Sequence, residues 1–190
     1  MYTAMQLILA SASPRRKEIL AGICPAFAVE TAACEERAPA HLPPPRYARE
    51  LARAKARDVA SRHEGAAVLG ADTVVALDGR ILGKPAGEAE AKATLRALSG
   101  RKHAVYTGWC LLCGGKEYGG TCKTTVFFHE LSDAFIDAYV ATGSPMDKAG
   151  SYGIQDDARL VRSFRGSYTN VVGLPAEAIA KCLTKIGILP

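Results

Sequence analysis

Nearly continuous apolar runs along this chain alternate with stretches in which apolar residues recur at helical spacing. Residues 6–10 and 66–77 are almost entirely apolar, which predicts two buried strands. A strand that is apolar on both faces must be covered on both sides, so we expect 66–77 at the centre of a sheet. Residues 103–113 and 121–131 predict two further strands joined by a glycine-rich turn.

Helical stretches separate these strands. Residues 47–63 are rich in strong helix formers, and Ser13-Pro14 and Ser132 have the chemistry of helix starts. The predicted helices are residues 17–22, 47–63, 88–98, 134–141 and 175–186. Asp78-Gly79 predicts a hairpin turn with residues 80–84 returning, and a further strand is expected near 159–163. Hairpins mixed with helices predict an α/β fold: a mixed, twisted central sheet flanked by helices, in a single domain over 1–190.

Composition narrows the function classes. The net charge is +5, and 48% of residues are hydrophobic and 23% charged, which is ordinary for a soluble globular protein. Lys and Arg are scattered rather than gathered in a stripe, which disfavours a nucleic-acid binder. The mild positive excess suits a small polyanionic substrate and a merely solvated surface equally well.

The six cysteines and the N-terminus point to the cytosol. The chain is long and lacks a secretory signal, so we expect free thiols rather than a disulfide framework. Cys110 and Cys113 lie at an odd offset on a predicted strand, which places them on opposite faces and argues against zinc. No stretch approaches the ~20 apolar residues that span a bilayer, so no membrane partner is expected.

Residues 11–16, with the sequence SASPRR, form the first candidate site. Small residues allow a ligand close to the backbone, and a capped helix start offers N–H groups to an anion. Ser11 and Ser13 are therefore candidate substrate-binding residues. Arg15 and Arg16 oppose the helix dipole in the first turn, which makes sense if a phosphate occupies the site. An ordinary capped turn with solvated arginines explains the pattern equally well.

Asp72 interrupts an otherwise apolar strand. Burying its carboxylate costs free energy unless the group is paired or bound to metal. Lys84, on the returning strand, is its expected partner. A two-residue hairpin loop would turn Lys84 away from Asp72, whereas a three-residue loop with a bulge brings it onto the same face, and we predict the latter. Lys55 lies on the inward ridge of its helix, where it either snorkels to water or points into a cleft.

Two further segments carry candidate chemistry. Glu35 and Glu36 form an acidic pair that is either solvated or available to magnesium together with substrate phosphates. Gln155 ends a glycine-rich loop, and its amide carries both a donor and an acceptor, which suits reading the edge of a base. Residues 166–175 favour a packing role.

Seven segments together resemble the Maf family of nucleotide pyrophosphatases. They occur in the family's order, and their combination is specific although each alone is weak. The segments are 11–16 (SASPRR), 51–56 (LARAKA), 71–75 (ADTVV), 83–85 (GKP), 99–103 (SGRKH), 148–155 (KAGSYGIQ) and 166–175 (GSYTNVVGLP). The resemblance implies two lobes around a cleft, as in the inosine-triphosphate pyrophosphatases, and a metal-dependent cleavage between the α- and β-phosphates.

The resemblance also implies residue roles. Asp72 corresponds to the family's proton acceptor and, with Glu36, to the ligands of Mg²⁺ or Mn²⁺. Arg16, Lys55 and Lys84 correspond to its phosphate-contacting cations. Glu36 matches the acidic loop residue, with Glu35 as the alternative register, because residues 38–46 depart from the family pattern.

Within the family, Asp-Thr at 72–73 and Gly-Ile-Gln at 153–155 resemble the dTTP/UTP branch rather than the 7-methyl-GTP branch. Arg15, Thr73 and Gln155 correspond to the specificity positions. The expectation is a cytoplasmic hydrolase that releases pyrophosphate from dTTP and UTP, and the resemblance implies a homodimer. A non-catalytic nucleotide-binding regulator of cell division remains the alternative.

Overall fold

The computed structural model describes residues 5–34, 38–39 and 41–190, and builds them around one mixed sheet. The strands are β1 (Leu7–Ala10), β2 (Ala28–Val29), β3 (Ala67–Leu77), β4 (Arg80–Leu82), β5 (Lys102–Cys113), β6 (Lys116–Phe128) and β7 (Val161–Arg165). The order across the sheet is β2-β1-β3-β5-β6-β7, and β4 also pairs with β3. β1 runs parallel to β2 and β3, while the other pairs are antiparallel, so the predicted mixed sheet is confirmed.

Helices cover both faces of the sheet. They are α1 (Pro14–Ala21), α2 (Pro44–Ala60), α3 (Glu88–Leu98), α4 (Asp133–Ala141), α5 (Tyr168–Val172) and α6 (Ala176–Lys185). Short 3₁₀ turns occupy Ser144–Asp147 and Ala149–Ser151. α5 was not predicted, because five residues are too few to show a helical period. None of the helices within the described ranges combines the length and apolar character of a membrane span.

Alternate residues of the long strands point to opposite faces, and each face has its own core. Leu69 packs with Trp109 and α6 on one face, and Val68 packs with Cys110 and α2 on the other. Cys113 contacts the core opposite to that of Cys110, as its odd offset predicts. All six cysteines are free thiols. A third core, around Phe128 and α3, fills the far end of the sheet.

Two glycines let α2 rest directly on the sheet backbone. A Cβ at Gly70 would lie 2.2 Å from the carbonyl oxygen of Ala52, and one at Gly108 would lie 2.4 Å from the carbonyl carbon of Ala48. Both alanines are fully buried. β3 and β5 pair so that Gly108 lies opposite Asp72, which puts the Asp72 side chain on the face that α2 covers. The inward ridge of α2 therefore reaches this carboxylate.

The β3–β4 hairpin has a two-residue loop, so the predicted three-residue loop with a bulge is wrong. Leu77 pairs with Arg80, and Asp78 and Gly79 form the turn with φ values of 50° and 80°. Positive φ at both central residues is the type I′ geometry that matches the twist of paired strands, so no extra residue is needed. The ladder ends at Leu82, which releases Lys84 from strand pairing.

Candidate active site

A cavity of about 850 Å³ opens where β1 ends, between α1, α2, β3 and residues 147–156. Nine of the sequence-predicted site residues line it: Ser11, Ser13, Arg15, Arg16, Lys55, Asp72, Thr73, Lys84 and Gln155. Glu35 and Glu36 lie outside the described residues. The sequence thus selected side chains that the fold brings together from five separate parts of the chain.

Asp72 is paired with a lysine in the wall of the cavity. The Lys55 Nζ donates to Asp72 Oδ1 at 2.8 Å, and both residues are only 7% exposed. The expected partner, Lys84, is exposed and lines the cavity without a hydrogen bond to Asp72, so that pairing prediction is wrong. The reason is that α2 packs directly on β3, which brings Lys55 to Asp72. Sequence spacing does not reveal this contact. Lys55 points into the cleft rather than out to water.

Among the described residues, three acceptors from three parts of the chain orient the Arg16 guanidinium. Its Nε donates to the carbonyl of Gly173 at 2.8 Å, Nη1 to Ser11 Oγ at 3.2 Å, and Nη2 to Thr73 Oγ1 at 3.3 Å. Ser13 caps α1, as predicted, by accepting from the Arg16 N–H. The arginine in the first turn is therefore held at the cavity by structure, which favours the anion-binding interpretation over solvated arginines.

Two threonine hydroxyl groups continue the hydrogen bonding from Arg16, and the geometry fixes which group donates to which. Thr107 Oγ1 lies 2.8 Å from the carbonyl oxygen of Asn170, which can only accept, so Thr107 donates its one proton there. Thr73 Oγ1, 2.9 Å from Thr107 Oγ1, must then donate to Thr107. Thr73 has no second proton and accepts from Arg16. These hydrogen bonds thus link Arg16 to α5.

We expect Thr107→Val to lower the free energy of unfolding by about 1–3 kcal/mol, because a buried carbonyl and the Thr73 hydroxyl both lose their partner. Thr107→Ser, which keeps the hydroxyl, should lose clearly less. Urea unfolding of both variants measures the difference. A loss in Thr107→Ser as large as that in Thr107→Val would contradict this, because serine lacks only the methyl group and valine lacks only the hydroxyl.

Residues 147–156 contribute three charged cavity-lining side chains that were not predicted as site residues: Asp147, Lys148 and Asp156. Lys148 Nζ is held by the Ser144 carbonyl at 2.6 Å and by Asp147 Oδ1 at 3.0 Å. Their place in the glycine-rich segment was the only sequence signal. Thr107 gave none, since its role depends on the pairing of Thr73 with Thr107 across β3 and β5.

A buried aromatic cluster anchors residues 147–156 at Tyr152. Tyr152 hydroxyl lies 2.7 Å from His103 Nε2, and His103, Tyr152 and Phe128 pack edge to face. Burial lowers the pKa of His103 to about 4, so the imidazole is neutral near pH 7. The cluster holds the backbone that precedes Gln155 against β5.

The Maf-like protein family model matches residues 6–186, nearly the whole chain. The chain belongs to the Maf family. A dTTP/UTP pyrophosphatase of Thermococcus gammatolerans is 54% identical over 176 residues, which cover 92% of this chain and 94% of that protein. One of Moorella thermoacetica is 47% identical over 186 residues, which cover 96% of each.

The fold of this chain is similar to that of a solved structure. A HAM1 protein from Coxiella burnetii superposes with a TM-score of 0.56 at 16% identity, over 95% of this chain and 99% of that one. At this identity the likeness concerns architecture alone. This Maf-family chain thus has the expected mixed α/β architecture around a cleft.

The Asp72 carboxylate has the chemistry to hold a hard cation. Oδ1 accepts from Lys55, and Oδ2 takes no hydrogen bond from the rest of the described chain. Mg²⁺ is commonly bound by one or two carboxylates together with substrate phosphates. The described residues contain no cluster of three or more His, Cys, Asp or Glu that could hold a metal by themselves. The Asp72 carboxylate thus fits the role of one ligand to a cation that substrate phosphates also hold.

Proposed function

We propose that this protein hydrolyses dTTP and UTP to the monophosphate and pyrophosphate. The observation that carries the proposal is the Asp72–Lys55 pair, 2.8 Å apart, in the wall of a cavity that Arg16 and Lys84 also line. A buried carboxylate in a cavity that these cations line is suited to a triphosphate whose reaction requires a base. The names of the Maf relatives support the nucleotide class.

Asp72 is the residue placed to accept a proton from the attacking water. The water attacks phosphorus at the bond between the α- and β-phosphates, and pyrophosphate leaves. Arg16, Lys55 and Lys84 add positive charge where negative charge develops on the phosphoryl oxygens. Arg16 is fixed in advance by Gly173, so little reorientation is needed during the reaction.

Asp72 would hold a divalent cation, Mg²⁺ or Mn²⁺, with Glu36 as a further candidate ligand beyond the described residues. The cation would neutralise phosphate charge and stabilise the leaving pyrophosphate. Lys55 holds one oxygen of Asp72, and the other accepts no hydrogen bond from the described residues. A chelator should therefore abolish turnover, and added Mg²⁺ or Mn²⁺ should restore it.

The preference for pyrimidines is assigned to Arg15, Thr73 and Gln155, all of which line the cavity. The Gln155 amide offers one donor and one acceptor, which complements the N3–H and O4 of uracil or thymine. Cytosine presents the opposite pattern at these two positions. The amide can turn over to meet it, so discrimination depends on how firmly Gln155 is held.

A product assay tests the proposal. The protein is incubated with Mg²⁺ or Mn²⁺ and dTTP, UTP, CTP, GTP or 7-methyl-GTP, and pyrophosphate and orthophosphate are measured separately. We expect pyrophosphate from dTTP and UTP above all, because the Gln155 amide complements the N3–H and O4 of thymine and uracil. Preferred release from 7-methyl-GTP would contradict the pyrimidine assignment. Orthophosphate alone would mean that another bond is cleaved, and binding without turnover would mean a regulator.

A further inference from the structure

Gln155 sits in a tight turn at the edge of the cavity. The Asp156 N–H donates to the carbonyl of Gly153 at 3.1 Å, which closes the turn, and Gln155 itself is exposed. The backbone of the turn sets the position from which this exposed side chain reaches into the cavity. The contacts that hold this turn therefore determine where the Gln155 amide lies relative to a bound base.

The carboxylate next to Gln155 gathers donors from two other segments. Asp156 Oδ2 accepts from the Tyr139 hydroxyl of α4 at 2.7 Å and from Ser144 Oγ at 2.6 Å, and the Lys148 ammonium lies 3.5 Å away. Its side chain is only 18% exposed. Partial burial raises the pKa of Asp156, but the hydrogen bonds from Ser144 and Tyr139 and the charge of Lys148 outweigh it. The pKa lies below its usual value, so the group is a permanent anion near pH 7.

Gly153 completes the same arrangement from the other side of the turn. Its N–H donates to the Tyr139 hydroxyl oxygen at 3.3 Å, so Tyr139 contacts both ends of the turn. A Cβ at Gly153 would lie 2.5 Å from Asp156 Oδ1 and 2.8 Å from its carboxyl carbon. The carboxylate is tied by its donors and has little freedom to move aside. The turn thus requires a residue without a side chain at 153.

We propose that Asp156 is a positioning residue for base recognition: it ties the Gln155 turn to α4 and to the 144–148 segment and so fixes the backbone from which the amide reaches the base. The inference rests on the proposed function, since it assigns Gln155 to the nucleobase. It separates two tasks in the cavity. The phosphate-facing cations act on every nucleotide, whereas Asp156 acts only on the choice between bases.

The test compares Asp156→Asn and Gly153→Ala with Asp157→Asn. Asp157 is the neighbouring carboxylate, and its side chain bonds only to residue 159 within the described chain, so its variant is a matched control. Each protein is assayed with UTP and CTP for kcat and KM, and equilibrium binding of both nucleotides is measured in the absence of turnover. Thermal unfolding establishes that each variant is folded.

We expect the UTP-to-CTP ratio of kcat/KM to fall about tenfold in both Asp156→Asn and Gly153→Ala, mostly through KM. A small misplacement of a contacting group can produce a change of this size or larger. The kcat for UTP should stay within about threefold of wild type, since the phosphate-facing residues are untouched. Tyr139→Phe should show the same shift, and combined with Asp156→Asn it should add little because both act on one contact.

The outcomes distinguish this inference from the proposed function. If wild type shows no turnover, the proposed function fails, and the binding ratio of UTP to CTP still decides the role of Asp156. An unchanged ratio in folded Asp156→Asn overturns the inference even when wild type is active. So does a loss of kcat with the base preference intact, because that pattern would indicate a merely structural contact. If Asp156→Asn does not fold, Gly153→Ala and Tyr139→Phe decide.

Discussion

We expect Asp72→Asn to lower kcat for UTP by about 10²–10⁴-fold, the range typical of losing a general base. Asparagine keeps the shape of the side chain and can still accept from Lys55 through its amide oxygen, but it cannot take a proton from water. Steady-state measurement of pyrophosphate release at saturating UTP and metal gives the effect on kcat directly. KM should change less, since the phosphate-facing cations remain.

Asp137→Asn is the matched control for this substitution. Asp137 pairs with Lys92 at 2.9 Å, nearly the distance of the Asp72–Lys55 pair, but its side chain is 54% exposed and on the surface of α4. Its variant should keep wild-type kcat. Turnover within a few-fold of wild type in Asp72→Asn would exclude Asp72 as the base and would leave the cavity without one among the residues assigned to catalysis.

Lys55→Met should lower kcat/KM by about 10²–10³-fold, the magnitude measured for loss of one preorganised group that stabilises transition-state charge. It should also lower the free energy of unfolding by about 3–5 kcal/mol, because Asp72 is left as a buried carboxylate without the lysine that pairs with it. Kinetics and urea unfolding without metal measure the two effects. Lys92→Met, on the exposed pair, should change neither appreciably.

The double variant Lys55→Met with Asp72→Asn separates stability from catalysis. Removing the second charge relieves the unpaired carboxylate, so much of the lost stability should return while turnover stays low. Stability losses that simply add would mean that the two side chains do not interact in solution. Recovery of turnover in the double variant would mean that neither group takes part in the reaction.

The hydrophobic pattern was sufficient for most of the fold. β3 and α3 lie within a residue of their predicted bounds, since long apolar or amphipathic stretches carry strong signals. Nine of the predicted site residues also line one cavity. They stood out in the sequence because an acid in an apolar strand and arginines in a first helical turn are energetically unfavourable in those places. Such conflicts mark functional positions even without a structure.

What the sequence could not provide is contact across space. The partner of Asp72 depends on how α2 packs on the sheet, and the Thr73–Thr107 hydrogen bond depends on the register of β3 and β5. Asp156 looked like one of many polar loop residues. Its importance comes from Tyr139 and Ser144, which approach it from a helix and a 3₁₀ turn.

The backbone contact between α2 and the sheet limits how this protein can move around its substrate. With no side chain between Gly70 and Ala52, or between Gly108 and Ala48, the helix and the sheet cannot slide or tilt past each other without collision. Lys55 and Asp72 are therefore two points on one rigid wall. Any closure over a nucleotide has to come from other parts of the cavity wall, such as α1 and residues 147–156.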